Sequence, residues 1–120
     1  MLRLEILPAT PALYARATAN PDPYQAWLDL ERLASPLSLR TRRSGDRFCP
    51  LGLGGRSQKL SAFMINVKLP RRVRGSWPLL VARGQIIWLP GYAISTDCAI
   101  HEGTVEYLHI TLFPPRDINA

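Results

Sequence analysis

Residues 40 to 60, RTRRSGDRFCPLGLGGRSQKL, gather six cations, four glycines, one acid and a cysteine. From such side chains a phosphate cradle, a thiol site or a polyanion-binding surface is made. Each chemistry demands its own spacing. A P-loop carries a lysine directly after its last glycine, but Gly55 is followed by Arg56 and the lysine waits until Lys59. A dinucleotide fingerprint begun at Gly52 needs its third glycine where Ser57 stands. Neither nucleotide loop is present. Glycines ahead of a helix start still let backbone N–H groups come close to an anion, and Ser57 is expected to cap the helix that follows. An anion at Ser57 and a loop that only needs unusual backbone angles are both open readings of Gly52, Gly54 and Gly55.

The nucleophile and metal readings find less support. Cys49 has no histidine near it in sequence to act as a base, and the two histidines, His101 and His109, lie in the C-terminal fifth of the chain. No C-x-x-C or histidine at ligand spacing accompanies either cysteine, so Cys49 and Cys98 read as two reduced thiols, with no metal and no cofactor expected. The acids form no local pair for general acid and base work. Asp46, in Ser-Gly-Asp-Arg, is expected to cap its own turn or pair with an arginine.

The cations remain, and they are unevenly spread. From 40 to 74 stand Arg40, Arg42, Arg43, Arg47, Arg56, Lys59, Lys68, Arg71, Arg72 and Arg74 against the single acid Asp46. The other residues hold five cations against eight acids, so a segment of net +9 sits in a chain of net +6. Eight of the ten are arginine, the residue suited to forked phosphate contacts. A segregated field of this kind points to a polyanion. The aromatics Phe63, Trp77 and Trp88 fall at core positions, which favours a duplex-like nucleic acid read by shape and charge over a stacked single strand. No apolar run nears the ~20 residues of a membrane span, and the start alternates rather than forming a signal-peptide core. A cytoplasmic protein with no membrane partner is expected; homodimerisation is left open.

The elements that must position these cations follow from periodicity. A strand is expected over 2 to 7, closed by Pro8, then a proline-rich loop over 8 to 24 with a short turn through Leu13 to Ala17. A second strand covers 25 to 30. In a third, over 37 to 42, Leu37, Leu39 and Thr41 share one face, and Ser38, Arg40 and Arg42 are expected to project together into solvent from the other. After the Ser44-Gly45-Asp46 turn and the glycines, Leu60, Phe63, Met64 and Val67 fall on one helical stripe that Pro70 stops at about Lys68. Pro70 then opens a helical turn, Arg71 to Arg74. A hairpin about Ala82-Arg83-Gly84, a weaker strand over 92 to 100 and a strong one over 106 to 113 complete the pattern, with a tail at 114 to 120. The fold class is α+β: packed antiparallel or mixed β-sheets, sandwich-like, with one or two short helices, in a single domain over 1 to 113.

Several of these residues also carry a resemblance. Leu39-Arg40-x-Arg42-Arg43-x-Gly45-Asp46-Arg47-Phe48-x-Pro50-Leu51-Gly52, then Gly55, Lys59-Leu60, Phe63, Lys68-Leu69-Pro70-Arg71, Arg74, Pro78-Leu79-Leu80 and Ile87-Trp88-Leu89-Pro90-Gly91 form the match. The pattern, from about Leu28 to Ile94, resembles the C-terminal domain of bacterial tRNA(Ile)-lysidine synthetase. The resemblance implies an α+β fold related to a domain of the phenylalanyl-tRNA synthetase β chain. It implies a parent ligase that uses ATP and magnesium to activate the wobble cytidine of an isoleucine tRNA, which lysine then attacks. It implies that this part engages the tRNA acceptor-stem region beside an N-terminal catalytic domain. Arg40, Arg42, Arg43, Arg47, Lys59, Lys68, Arg71 and Arg74 carry over by motif as tRNA contacts, with Arg56 and Arg72 added by charge. Gly45, Asp46, Pro50, Gly52 and Gly55 would shape the loop. The parent's ATP loop, Ser-Gly-Gly-x-Asp-Ser, is absent from these 120 residues, so no catalytic residue is expected here, whether the chain is an excised domain or a stand-alone relative. Docking of the catalytic domain, or of another protein, on the basic face is the alternative.

Overall fold

Leu2, Leu4 and Ile6 alternate with Arg3 and Glu5, and this period-two stretch forms β1, Leu2–Pro8, in a computed structural model that describes residues 2–113. The tail expected at 114 to 120 lies outside the described residues. β1 pairs antiparallel with β9, Glu106–Leu112, which pairs on its other side with β2, Gln25–Asp29. A second sheet runs β3-β6-β7-β8, with β3 at Leu37–Arg40, β6 at Leu79–Ala82, β7 at Gln85–Leu89 and β8 at Ala93–Ile94. A third, two-stranded ribbon joins β4, Arg47–Phe48, to β5, Gln58–Lys59. All strand pairs are antiparallel, and with two short α-helices the α+β expectation holds.

The layers explain why the middle strands do not alternate. Leu79, Val81, Ile86 and Leu89 pack beneath Phe48 and beneath α2, Leu60–Asn66, whose stripe Leu60, Phe63 and Met64 is buried as its spacing requires. Leu80, Ala82, Ile87 and Trp88 pack on Ala26, Leu28, Leu108, Ile110 and Leu112 of the β1-β9-β2 sheet. That sheet in turn carries α1, Pro11–Thr18, against Trp27 and Tyr107. β6 is therefore buried on both faces and reads as a continuous apolar run. The hairpin turn has Arg83 and Gly84 at φ 47 and 82, the left-handed pair that a two-residue connection of twisted strands requires. Leu80 pairs with Trp88 but Val81 with Ile86, so Ile87 is a bulge residue that puts two consecutive side chains on the same core. Its carbonyl accepts the Ser95 N–H at 2.8 Å.

Several expectations are corrected. Residues 8 to 24 contain a true helix, α1: Thr10 Oγ1 accepts the Leu13 N–H at 3.1 Å, and Pro11 sits at the first helical position, where its missing N–H costs nothing. The strand expected over 92 to 100 shrinks to β8, because Ser95 Oγ accepts from Asp97 N–H and bends the chain into a 3₁₀ turn at Thr96–Cys98. α2 ends at Asn66 rather than Lys68. Lys68 stands at φ 61, with its N–H on the Ile65 carbonyl and the Leu69 N–H on the Met64 carbonyl, a Schellman closure without glycine.

Candidate nucleic-acid interface

The basic segment is organised by one carboxylate. Asp46 accepts Arg40 Nη1 and Nη2 at 2.9 and 3.0 Å, and its Oδ2 also takes the Arg43 N–H at 2.7 Å. Its carbonyl takes the N–H of Leu60, the first of α2, at 2.9 Å. Both roles expected of Asp46, turn cap and arginine partner, are filled at once. The Arg40 hydrogen bonds hold the Asp46 carboxyl below its usual range, and the same pair raises the Arg40 guanidinium.

That pair corrects the expectation for β3. Side chains alternate as read, but the Ser38 and Arg40 face is the face that looks toward α2, because their partners Val81 and Leu79 belong to the core under that helix. The Arg40 side chain is 16% exposed, and its Nη1 also donates to the Thr41 carbonyl at 3.0 Å. β3 stops at Arg40, so Arg42 leaves from the following turn instead of sharing a strand face with it. The expected helix cap fails too. Ser57 precedes β5, α2 begins after Lys59 with no side-chain cap, and Ser57 Oγ accepts Arg47 Nε at 3.1 Å.

The segment sorts into bound and presented cations. Arg47 spans the loop between β4 and β5 to Ser57, Arg56 Nε donates to the Leu53 carbonyl at 3.2 Å, and Arg74 Nε to the Leu69 carbonyl at 2.8 Å. Arg42, Arg43 and Lys59 line one cleft with Ser44, Gly45, Asp46, Leu60 and Ser61, and Arg42 Nη1 also reaches Met64 Sδ at 3.9 Å. All three cations are exposed. Lys68, Arg71 and Arg72 are exposed beyond the other end of α2, where Pro70 precedes the 3₁₀ turn Arg71–Val73. Lys59 and Lys68 thus bracket the seven-residue helix, which is about 10 Å long at ~1.5 Å per residue.

Between the ribbon strands, the loop is pinned at its start. The Leu51 N–H bonds the Ile94 carbonyl at 3.0 Å, the Thr96 N–H bonds the Cys49 carbonyl at 2.9 Å, and Pro50 bridges Ser95. Beyond that anchor Gly54 and Gly55 are consecutive left-handed residues, φ 64 and 80, with open space where each Cβ would stand. They shape a projecting loop, and Leu51 and Leu53 are exposed on it. Sequence reasoning missed that pair; the glycines on either side, which lift them from the core, were the available signal.

Cys98 and the two histidines each have partners. Burial pushes the Cys98 thiol up to about 12, and His101 Nε2 lies 3.2 Å from the buried Asp29. His109 is stacked on Trp27 with ring centroids 3.9 Å apart, and its Nε2 is 2.9 Å from Gln25 Oε1. Among the described residues no group of three metal-ligating side chains comes together.

Against known families, residues 37–110 match the model of the TilS substrate C-terminal domain. The chain belongs to that family. It is 48% identical over 88 residues to the tRNA(Ile)-lysidine synthase of Symbiobacterium thermophilum and 39% identical over 85 residues to that of Dehalococcoides mccartyi. Those matches cover 73% and 71% of this chain but only 18% of each relative, so the chain corresponds to a small part of them. A crystal structure of a TilS C-terminal domain superposes with a TM-score of 0.73 at 30% identity, covering 92% of this chain and 80% of that one. An N-terminal fragment of the phenylalanyl-tRNA synthetase β-subunit from Pyrococcus horikoshii shares the fold, with a TM-score of 0.67 at 15% identity, covering 92% of this chain and 39% of that one. In this domain the bracing and cleft-lining cations belong to the same basic segment, and Arg47 and Arg56 stay exposed while their guanidinium groups hold the loop.

Proposed function

We propose that this domain grips tRNA for a tRNA(Ile)-lysidine synthase, holding the acceptor-stem region of an isoleucine tRNA while a separate catalytic domain uses ATP and magnesium to attach lysine to the wobble cytidine. The contacts are Arg42, Arg43 and Lys59 at one end of α2 and Lys68, Arg71 and Arg72 at the other. Arg40, Arg47, Arg56 and Arg74 act as positioning residues that hold the turn, ribbon and loop in place. The work is done in the cytoplasm, and this domain performs no chemistry itself.

Lys59 carries this reading. It occupies the N-cap of α2, at the positive end of the helix dipole, where serine, threonine, aspartate or asparagine stabilises and a cation does not. It also stands directly opposite Arg47 across the ribbon, a like-charge cross-strand pair. A cation placed twice against the interests of the fold is best explained by an anion outside it. Phosphates of a duplex fit that need.

Titration with unmodified isoleucine tRNA tests the proposal. Affinity is expected to fall by about two to three orders of magnitude between about 50 mM and about 200 mM salt, as released counterions require. Absent or salt-insensitive binding overturns it. A second reading, docking of the catalytic domain on this face, is favoured by the exposed Leu51 and Leu53. Pull-down of that domain without RNA, lost on Leu53→Asp but kept on Lys59→Glu, would select it.

A further inference from the structure

β1 is the edge strand of the β1-β9-β2 sheet, and two backbone hydrogen bonds fix its phase. The Ala9 N–H reaches the Val105 carbonyl at 2.8 Å, one residue beyond the Pro8 and Glu106 pair. Antiparallel bonds alternate, so Leu7, Glu5 and Arg3 turn their N–H and C=O groups toward β9, and Ile6, Leu4 and Leu2 turn theirs outward. Leu112, the partner of Leu2, agrees: its N–H is spent on the Tyr24 carbonyl on the β2 side, at 2.9 Å. The outward residues are also apolar and uncovered, with Leu4 51% and Ile6 61% exposed. They lie on the same face of the sheet as the buried Leu108, Ile110 and Leu112, as a ledge continuing that core past the edge. A long, apolar edge without lysine or an interior proline is the kind that pairs with another strand.

The pattern of the strand identifies which one. Written antiparallel to itself about Leu4, the stretch Leu2-Arg3-Leu4-Glu5-Ile6 sets Leu4 opposite Leu4, Leu2 opposite Ile6, and Arg3 opposite Glu5 twice. The bonds of this register come from the outward groups of Leu2, Leu4 and Ile6. Centring on Glu5 or Arg3 would put like charges face to face, and centring on Ile6 would set Pro8, which lacks an N–H, against Leu4. Among the described residues Arg3 lies 6.0 Å from the Phe113 ring centroid and Glu5 Oε1 lies 3.6 Å from His109 Nδ1, and both side chains stay exposed along the edge, within reach of a partner strand.

We propose that β1 pairs antiparallel with β1 of a second copy of this chain about a two-fold axis at Leu4, joining two three-stranded sheets into one of six strands. The interface is isologous, the same patch on both copies. It lies in the sheet on the far side of the β3-β6-β7-β8 sheet from α2, so it leaves the tRNA-gripping cations free, and it does not depend on that reading. With only five residues a side, the dimer is weak and concentration-dependent.

Sedimentation equilibrium of the 120-residue chain from about 10 µM to about 1 mM, the range of a weak contact, tests it. A reversible monomer–dimer equilibrium is expected. Arg3→Glu and Glu5→Arg should each raise the dissociation constant about tenfold or more, because two opposite-charge pairs become like-charge pairs. An equimolar mixture of the two variants should dimerise again, since each supplies the charge the other lacks. Leu4→Lys should be monomeric throughout, with an unchanged melting temperature confirming that the protomer is intact. A chain monomeric at every concentration, a dimer indifferent to these substitutions, or a mixture that fails to recover overturns the proposal.

Discussion

The β1-β9-β2 sheet and the layer of ribbon, loop and α2 sit on opposite sides of the same central sheet, and they obey local rules to different degrees. In the first, period-two alternation, the Thr10 cap, the Gln25 and His109 contact and the buried Asp29 with its Thr104 and His101 partners all agree with the fold. In the second, a lysine occupies a helix N-cap without bonding it, two cations face each other across a ribbon, and Lys68 takes a left-handed angle. The layer that breaks more of its local rules is the layer that carries the charge, and one half-buried carboxylate, Asp46, holds it in shape.

Of the changes that test this contrast, Asp46→Ala should have the largest effect. It strands Arg40 in a half-buried site and frees the Arg43 N–H, while the backbone bond to Leu60 remains, so a loss of about 3 kcal/mol is expected by urea unfolding. The same pair sets an acid limit: with its folded pKa depressed, Asp46 contributes stability above its ordinary 3.8 and loses it as pH falls below that value. Melting curves from pH 6 down to about pH 3 should show a steep drop that Asp46→Asn flattens. A drop of the same size in that variant would place the acid-sensitive group elsewhere.

Lys59→Asp sharpens the comparison most directly. It should weaken tRNA binding about tenfold while stabilising the domain by about 1 kcal/mol, through a restored cap and a relieved like-charge pair. Stability and affinity moving together would refute the idea that this layer trades one for the other. Lys68→Gly should gain about 0.5 to 1 kcal/mol of stability by removing a left-handed lysine from the Schellman closure, at a few-fold cost in affinity. The smallest effect belongs to the conforming sheet. Burial lowers the His109 pKa, so its neutral form is favoured when folded, and stability should slip slightly as pH falls through about 6.5. His109→Gln should remove that slope in thermal melts.

What the sequence disclosed followed the range of the interactions concerned. The α2 stripe, the Arg83-Gly84 hairpin and the alternation of β1 and β9 are local patterns, and each appears where its period places it. α1 was hidden by prolines whose effect depends on position: Pro11 opens the helix it was expected to forbid. Arg40 was misjudged because alternation tells which residues share a face but not whether a second layer covers it. Ser57 failed as a cap for a similar reason, since the first N–H of α2 is taken by the carbonyl of Asp46 from across the ribbon. The basic segment was visible as charge; its division into holding and presented arginines required the fold.

The bulge at Ile87 has a consequence for how this domain can vary. Because Leu80 pairs with Trp88 and Val81 with Ile86, removing Ile87 would leave the sheet in register, with Ile86, Trp88 and Leu89 alternating regularly between the two cores. The loss would fall on the core that its buried side chain helps to fill, on the Ser95 N–H that its carbonyl accepts and on the chain from Ser95 to Cys98. In a deletion scan, the strand itself should tolerate the shorter sequence while the segment that pins the glycine loop, through Pro50 and Thr96, comes adrift. A residue the sheet does not need is what ties two distant stretches of chain into one lineage of loops.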